Sequence, residues 1–177
     1  MRAAHPLARA LIARLPRGAR VLEIGHGSGR NHRALEAAGF AVVHFDAQPE
    51  PPEGAAGALS THALLHGAPN EIAALLAEIA RRLAAGAPFL ATFGSQRDAR
   101  FGTGTRLGPA TFAPTEGDER GVAHSYFDEA TLRGVLDELF AIADLREVEV
   151  DAIAGGWAHE RAPLSGAVHW FAVAHRR

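Results

Sequence analysis

Val21-Leu22-Glu23-Ile24-Gly25-His26-Gly27-Ser28-Gly29-Arg30-Asn31 decides the reading of this chain. An apolar strand over residues 20–24 runs directly into three alternating glycines, and a helix over about 30–38 follows, closed by Gly39. A second strand, 41–45, then ends on Asp46. Glycines in such a turn let the backbone approach a ligand closely, and the helix start beside them offers unpaired N–H groups. A carboxylate about 20 residues further on suits the diol of a ribose. The stretch reads as the front half of a nucleoside-binding α/β unit.

Elsewhere, helical spacing is present over 3–15, where Leu7, Leu11, Ile12 and Leu15 share a face, and over 69–84, where Ile72, Leu75, Leu76, Ile79 and Leu83 do. Gly86 is placed as the C-cap of the latter. Apolar runs at 58–63 and 88–93 read as buried strands. Asp128 should N-cap a helix carrying Leu132, Val135, Leu136 and Leu139. Two late strands, 142–150 and 168–174, are separated only by loop, so they should pair antiparallel. Residues 94–126 read as one long loop rich in Gly, Thr, Pro and charge, of the kind that forms lids or binding loops. The expected architecture is a single α/β domain over 1–177, three-layered and doubly wound. Its sheet is mostly parallel, of six strands, with an antiparallel pair at the C-terminal end.

Composition narrows the function classes. A chain of 177 residues that is 47% hydrophobic can bury one sizeable core. A net charge of −2 argues against a dedicated nucleic-acid binder. Cysteine is absent, which removes disulfides and thiolate metal sites. Lysine is absent too, so every basic side chain is arginine. No apolar run is long enough to span a bilayer and no leader pattern is present, so a cytoplasmic protein of bacterial type is expected.

Glu23-x-Gly25-x-Gly27-x-Gly29 resembles motif I of class I S-adenosylmethionine (SAM) methyltransferases. The nicotinamide fingerprint Gly-x-Gly-x-x-Gly fits less well, because its third glycine falls on Arg30. The resemblance covers nearly the whole chain. Gly27-x-Gly29-Arg30-Asn31, together with His124-Ser125-Tyr126-Phe127-Asp128 opening a helix, is most similar to the tellurite-resistance and thiopurine methyltransferase branch. One departure stands out. Only the proline-rich stretch 47–57 separates Asp46 from the next strand, where the family has a helix, a third strand and an adenine-reading carboxylate. Extended, those residues still reach roughly 35 Å, enough to cross to the base of a strand two places away. The adenine pocket should then be incomplete, with Glu50 and Glu53 as the nearby carboxylates. The second strand should be a sheet edge, covered by the prolines or used in a homodimer; monomer and homodimer both stay open.

The resemblance implies SAM as cofactor, S-adenosylhomocysteine as product and a small-molecule acceptor, with no nucleic-acid or membrane partner. Gly25, Gly27 and Gly29 would line the methionine part, Glu23 its ammonium end and Asp46 the ribose. Arg30 and Asn31 start the helix beside the ligand, and Ser60 and Thr61 face it from the fourth family strand. His62 is the candidate base if the acceptor arrives protonated, the alternative being a structural histidine bonded to backbone. Tyr126 joins it on the catalytic side. Arg97, Arg100 and His124 are the candidate substrate contacts, the alternative being a loop stapled by ion pairs. His62, His66 and His124 as a zinc triad carry no metal geometry in their spacing, and no metal is expected. A second function also fits the shortened adenine region: a degenerate scaffold that binds SAM weakly or not at all and acts on a partner protein.

Overall fold

The computed structural model describes residues 3–46, 53–157 and 165–177. Five strands form the scaffold's parallel part and its first neighbours: β1 (Arg20–Ile24), β2 (Ala41–His44), β3 (Gly57–Ser60), β4 (Pro88–Ser95) and, later in the chain, β7 (His124–Phe127). β1 lies between β2 and β3, and β3 pairs with β4, all parallel. β8 (Phe140–Glu149) and β9 (Val168–Arg176) are antiparallel to each other, and β9 runs antiparallel along β4. The order β2-β1-β3-β4-β9-β8 is the six-stranded doubly wound frame expected from sequence.

Three strands, the already named β7 among them, come from the stretch read as loop. β5 (Thr105–Gly108), β6 (Thr111–Ala113) and β7 form an antiparallel meander, giving nine strands among the described residues. β9 occupies one edge of β4 as far as Gly94, while β3 leaves the other edge at Ala91. The freed edge is where β7 joins, at Gly94 and Ser95. The loop expectation failed because its strands are only three or four residues long, too short to show an alternating pattern.

Helices α1 (Pro6–Ile12) and α2 (Arg30–Ala37) cover one face; α3 (Pro69–Arg82) and α4 (Glu129–Asp137) cover the other. The two faces read directly from alternation along β1. Leu22 and Ile24 pack with Ile72, Leu76 and Ile79 of α3, whereas Val21 packs with Leu7, Leu11 and Leu35. Each such fully buried aliphatic side chain contributes about 1.5–3 kcal/mol. Asp128 caps α4 as expected, accepting from the Thr131 N–H at 2.7 Å. Gly86 is not a helix cap: α3 ends at Arg82, and Gly86, at φ 74°, makes the turn into β4. No helix among the described residues is long and apolar enough to cross a membrane. β2 pairs only with β1 among those residues; most of the proline-rich stretch, Glu50 included, lies outside them. Glu53 is held in an exposed ion pair with Arg81 at 2.7 Å.

Candidate functional site

The carboxyl ends of β1, β2 and β3 meet at the glycine turn. Gly25 and Gly27 have φ of 78° and 49°, and Gly29, at 69°, is the N-cap of α2. At Gly25 a Cβ would stand 2.5 Å from the Ala63 Cβ, so the segment following β3 leaves room only for glycine there. At Gly27 a Cβ would meet nothing, which leaves the turn's backbone open on that side. The Gly25 N–H donates to Asp46 Oδ2 at 2.6 Å, across 21 residues of sequence. The Phe45 N–H reaches the Glu23 carbonyl at 2.9 Å, which carries β2 up to that contact. Glycine turn and strand-end carboxylate are therefore one hydrogen-bonded unit.

The helix-start residues do structural work. Asn31 is buried; its Oδ1 accepts from the His5 N–H at 2.9 Å and its Nδ2 donates to Thr61 Oγ1 at 2.8 Å. It ties the segment before α1, the start of α2 and the end of β3 together, so its polar atoms are already engaged. Arg30 is buried beside it. Ser60 is fully buried, and its Oγ has no hydrogen-bond partner among the described residues.

Glu23 is only 2% exposed. Burial pushes its carboxyl pKa up, against the pull of His32. His44 stands opposite Glu23 in the β1–β2 register, His32 reaches it from α2 and His26 from the turn. None of these histidines was singled out from sequence. The available signal was register: two parallel strands ending on Gly25 and Asp46 place Glu23 beside His44.

His62 has φ 61°, a strained conformation for a residue with a side chain. Its backbone N–H donates to Thr92 Oγ1 at 2.7 Å, and its Nε2 lies 2.8 Å from the Gly156 carbonyl oxygen. The ring is 5.0 Å from that of His169 and 5.5 Å from that of His5. Burial, reinforced by Arg100, lowers the His169 pKa to about 3; burial and His62 lower that of His5 to about 2. Arg100 grips Asp98 through Nε and Nη2 at 2.7 and 2.6 Å, touches His169 Nε2 at 3.0 Å and lies over Trp157 at 4.9 Å.

Arg97 goes elsewhere. It is 74% exposed and pairs with Glu147, which also accepts from Ser95 Oγ. Glu147 is registered with Trp170, and Val148 with His169. Successive residues of β9 point to opposite faces, so Arg97 and Arg100 are drawn to opposite sides of the sheet. The arginines expected to act together are separated.

Tyr126 is buried against Phe101 and Phe112, and desolvation pushes its phenol pKa up to about 12. His124 is buried as well; its Nδ1 is 2.8 Å from the Val122 carbonyl and its Nε2 3.1 Å from Glu119 Oε2. His66 Nε2 lies 3.5 Å from the other Glu119 oxygen. These two histidines hold the Glu119 carboxyl well below its usual range. His66 and His124 do come together, but with Glu119 in place of His62. Glu119 had no signal in the sequence beyond its charge.

No protein-family model and no curated protein sequence matches the chain. Solved structures do. One is a SAM-dependent methyltransferase from Methanosarcina mazei, 16% identical, with a TM-score of 0.72 over 98% of each chain. The fold is that of SAM-dependent methyltransferases. A second similar structure is the Burkholderia thailandensis 1,6-didemethyltoxoflavin N1-methyltransferase, solved with bound 1,6-didemethyltoxoflavin and S-adenosylhomocysteine. It is 19% identical, with a TM-score of 0.67 over 97% of this chain and 76% of that one. A [4+2]-cyclase is also similar, 18% identical, with a TM-score of 0.56 over 96% of this chain and 79% of that one. One methyltransferase-like scaffold thus serves more than one chemistry, and the site must argue the reaction.

Proposed function

We propose that this protein transfers a methyl group from SAM to a small-molecule acceptor. The observation that carries the proposal is the 2.6 Å contact between the Gly25 N–H and Asp46, which joins an open glycine turn to a carboxylate at the switch point of this fold. The residues fit a nucleoside cofactor. Gly27 leaves space over the turn, and Asp46, exposed, has lone pairs left for a ribose diol. The chemistry such a cofactor supplies when bound is an electrophilic methyl group on a sulfonium with a neutral leaving thioether.

This chain's part is to orient and to exclude water. The β5–β6–β7 meander and the segment around Trp157 supply the acceptor side, with Arg100 as its cation. His62, whose Nε2 donates to the Gly156 carbonyl, is the candidate base for a hydroxyl or amine acceptor. The narrower kinship with the tellurite-resistance and thiopurine branch, and a missing third strand, belong to this proposal as well.

A second reading has its own support. Asn31 and Glu23, two of the expected cofactor contacts, are buried and already occupied by protein groups. That favours a scaffold whose cofactor site is weakened and which acts through a protein partner. Calorimetric titration with SAM, S-adenosylhomocysteine and NAD separates the readings. Binding of S-adenosylhomocysteine but not NAD supports the transferase. Binding of neither supports the scaffold.

A further inference from the structure

We propose that Glu23, His26, His32 and His44 form a site for a divalent first-row transition metal of the zinc type, beneath the glycine turn. Their four ligand atoms lie within 4.8 Å of one another. The three Nδ1 atoms face one carboxylate oxygen: Glu23 Oε2 is 3.2 Å from His32, 3.6 Å from His44 and 4.0 Å from His26. A tetrahedral ion with bonds of about 2.0–2.2 Å sets its ligands roughly 3.4 Å apart, so these distances bracket the edge of such a tetrahedron. The imidazoles also gather on one another, with centroids 4.3 Å apart for His26–His44 and His32–His44 and 5.4 Å for His26–His32.

Hydrogen bonding among the four does not account for the arrangement. Only the His32 contact is a hydrogen bond, and His44 Nδ1 is buried with no hydrogen-bond partner among the described residues. His32 carries the outer contact typical of a metal-bound imidazole. Its Nε2 is 3.3 Å from Glu36 Oε1, a carboxylate placed to hold the Nε2 proton when Nδ1 binds a metal. With no cysteine in the chain, a set of three imidazoles and one carboxylate suits zinc and its neighbours better than a hard cation. The ligands come from β1, the turn, α2 and β2, so a bound ion would clamp the turn to both strands and leave no open position for catalysis.

The inference goes beyond the transferase reading and does not depend on it. The test titrates Co2+ and then Zn2+ into the chelator-stripped full chain, on a His124→Ala background that removes the Glu119 cluster. The expected result is one Co2+ per chain with the intense visible bands of four-coordinate cobalt, bleached by Zn2+. His26→Ala, at a side chain 53% exposed, should keep the circular dichroism of its parent and weaken Co2+ binding at least tenfold. His44→Gln should do the same. The proposal is overturned if the folded background chain binds no Co2+ or gives only the pale spectrum of six-coordinate cobalt. Parent-like affinity and spectrum in folded His26→Ala would also overturn it.

Discussion

Two regions of this molecule each gather three histidines, with opposite electrostatics. Under the glycine turn, His26, His32 and His44 surround the carboxylate of Glu23. Elsewhere, His5, His62 and His169 stand edge to face, and the group bonded to His169 is the cation Arg100. Imidazoles around an anion can share protons or a metal ion. His5 and His169, buried and facing guanidinium groups, are held neutral. The residue type is the same in both places, and what differs is the sign of the nearest buried charge and the completeness of burial.

The largest way to break the comparison is acid. His5 and His169 have folded-state pKa values lowered to about 2 and about 3, from 6.5 in the unfolded chain. The groups facing them are His62, Arg30 and Arg9 for His5, and Arg100, His5, His124, Glu119 and Asp98 for His169. A histidine held neutral leaves stability intact above the unfolded pKa. Below it the unfolded chain takes up protons that the folded chain refuses. Stability should therefore fall as pH drops from about 6.5 toward about 3, by about 1.4 kcal/mol per pH unit for each histidine. Urea denaturation in the upper part of that window, above the carboxylate range, measures the histidine slope, and His169→Leu should lower it. An unchanged slope would show that the second region is not kept neutral.

The glycine turn can be probed at two positive-φ positions with different surroundings. Gly25→Ala meets both a positive φ and the Ala63 side chain, and should lose about 2–4 kcal/mol. Gly27→Ala meets the positive φ alone, and should lose about 1–2 kcal/mol. Equal losses in chemical denaturation would mean that Ala63 does not press on the turn.

Asp46→Ala sharpens the same side functionally. It should weaken S-adenosylhomocysteine binding by about 1–3 kcal/mol, read by calorimetry, with the fold retained. The smallest effect belongs to Arg97→Ala, whose exposed ion pair with Glu147 should change stability by less than about 1 kcal/mol and leave binding untouched. A large loss of turnover there would return Arg97 to the acceptor side.

Much of this was legible in the chain. Alternation and 3.6-residue spacing are local properties, so the long elements were readable: β1, β4, α3 and the β8–β9 pair. The glycine turn and Asp46 were readable because one short strand–turn–helix–strand unit holds both. The short strands within 105–127 were not, since three residues such as Thr111–Ala113, set among glycines, prolines and charges, carry too little pattern to separate strand from loop.

Side-chain company was decided by tertiary structure alone. Arg97 and Arg100 are three residues apart, yet the pleat of β8 and β9 sends them to opposite faces. His66 and His124 meet through Glu119, and Glu23 meets histidines from three other elements. Sequence by itself determined which backbone would form and where it would turn, because those choices depend on neighbours a few residues away. Which charges face one another depends on strand register and burial, and these exist only once the sheet has closed.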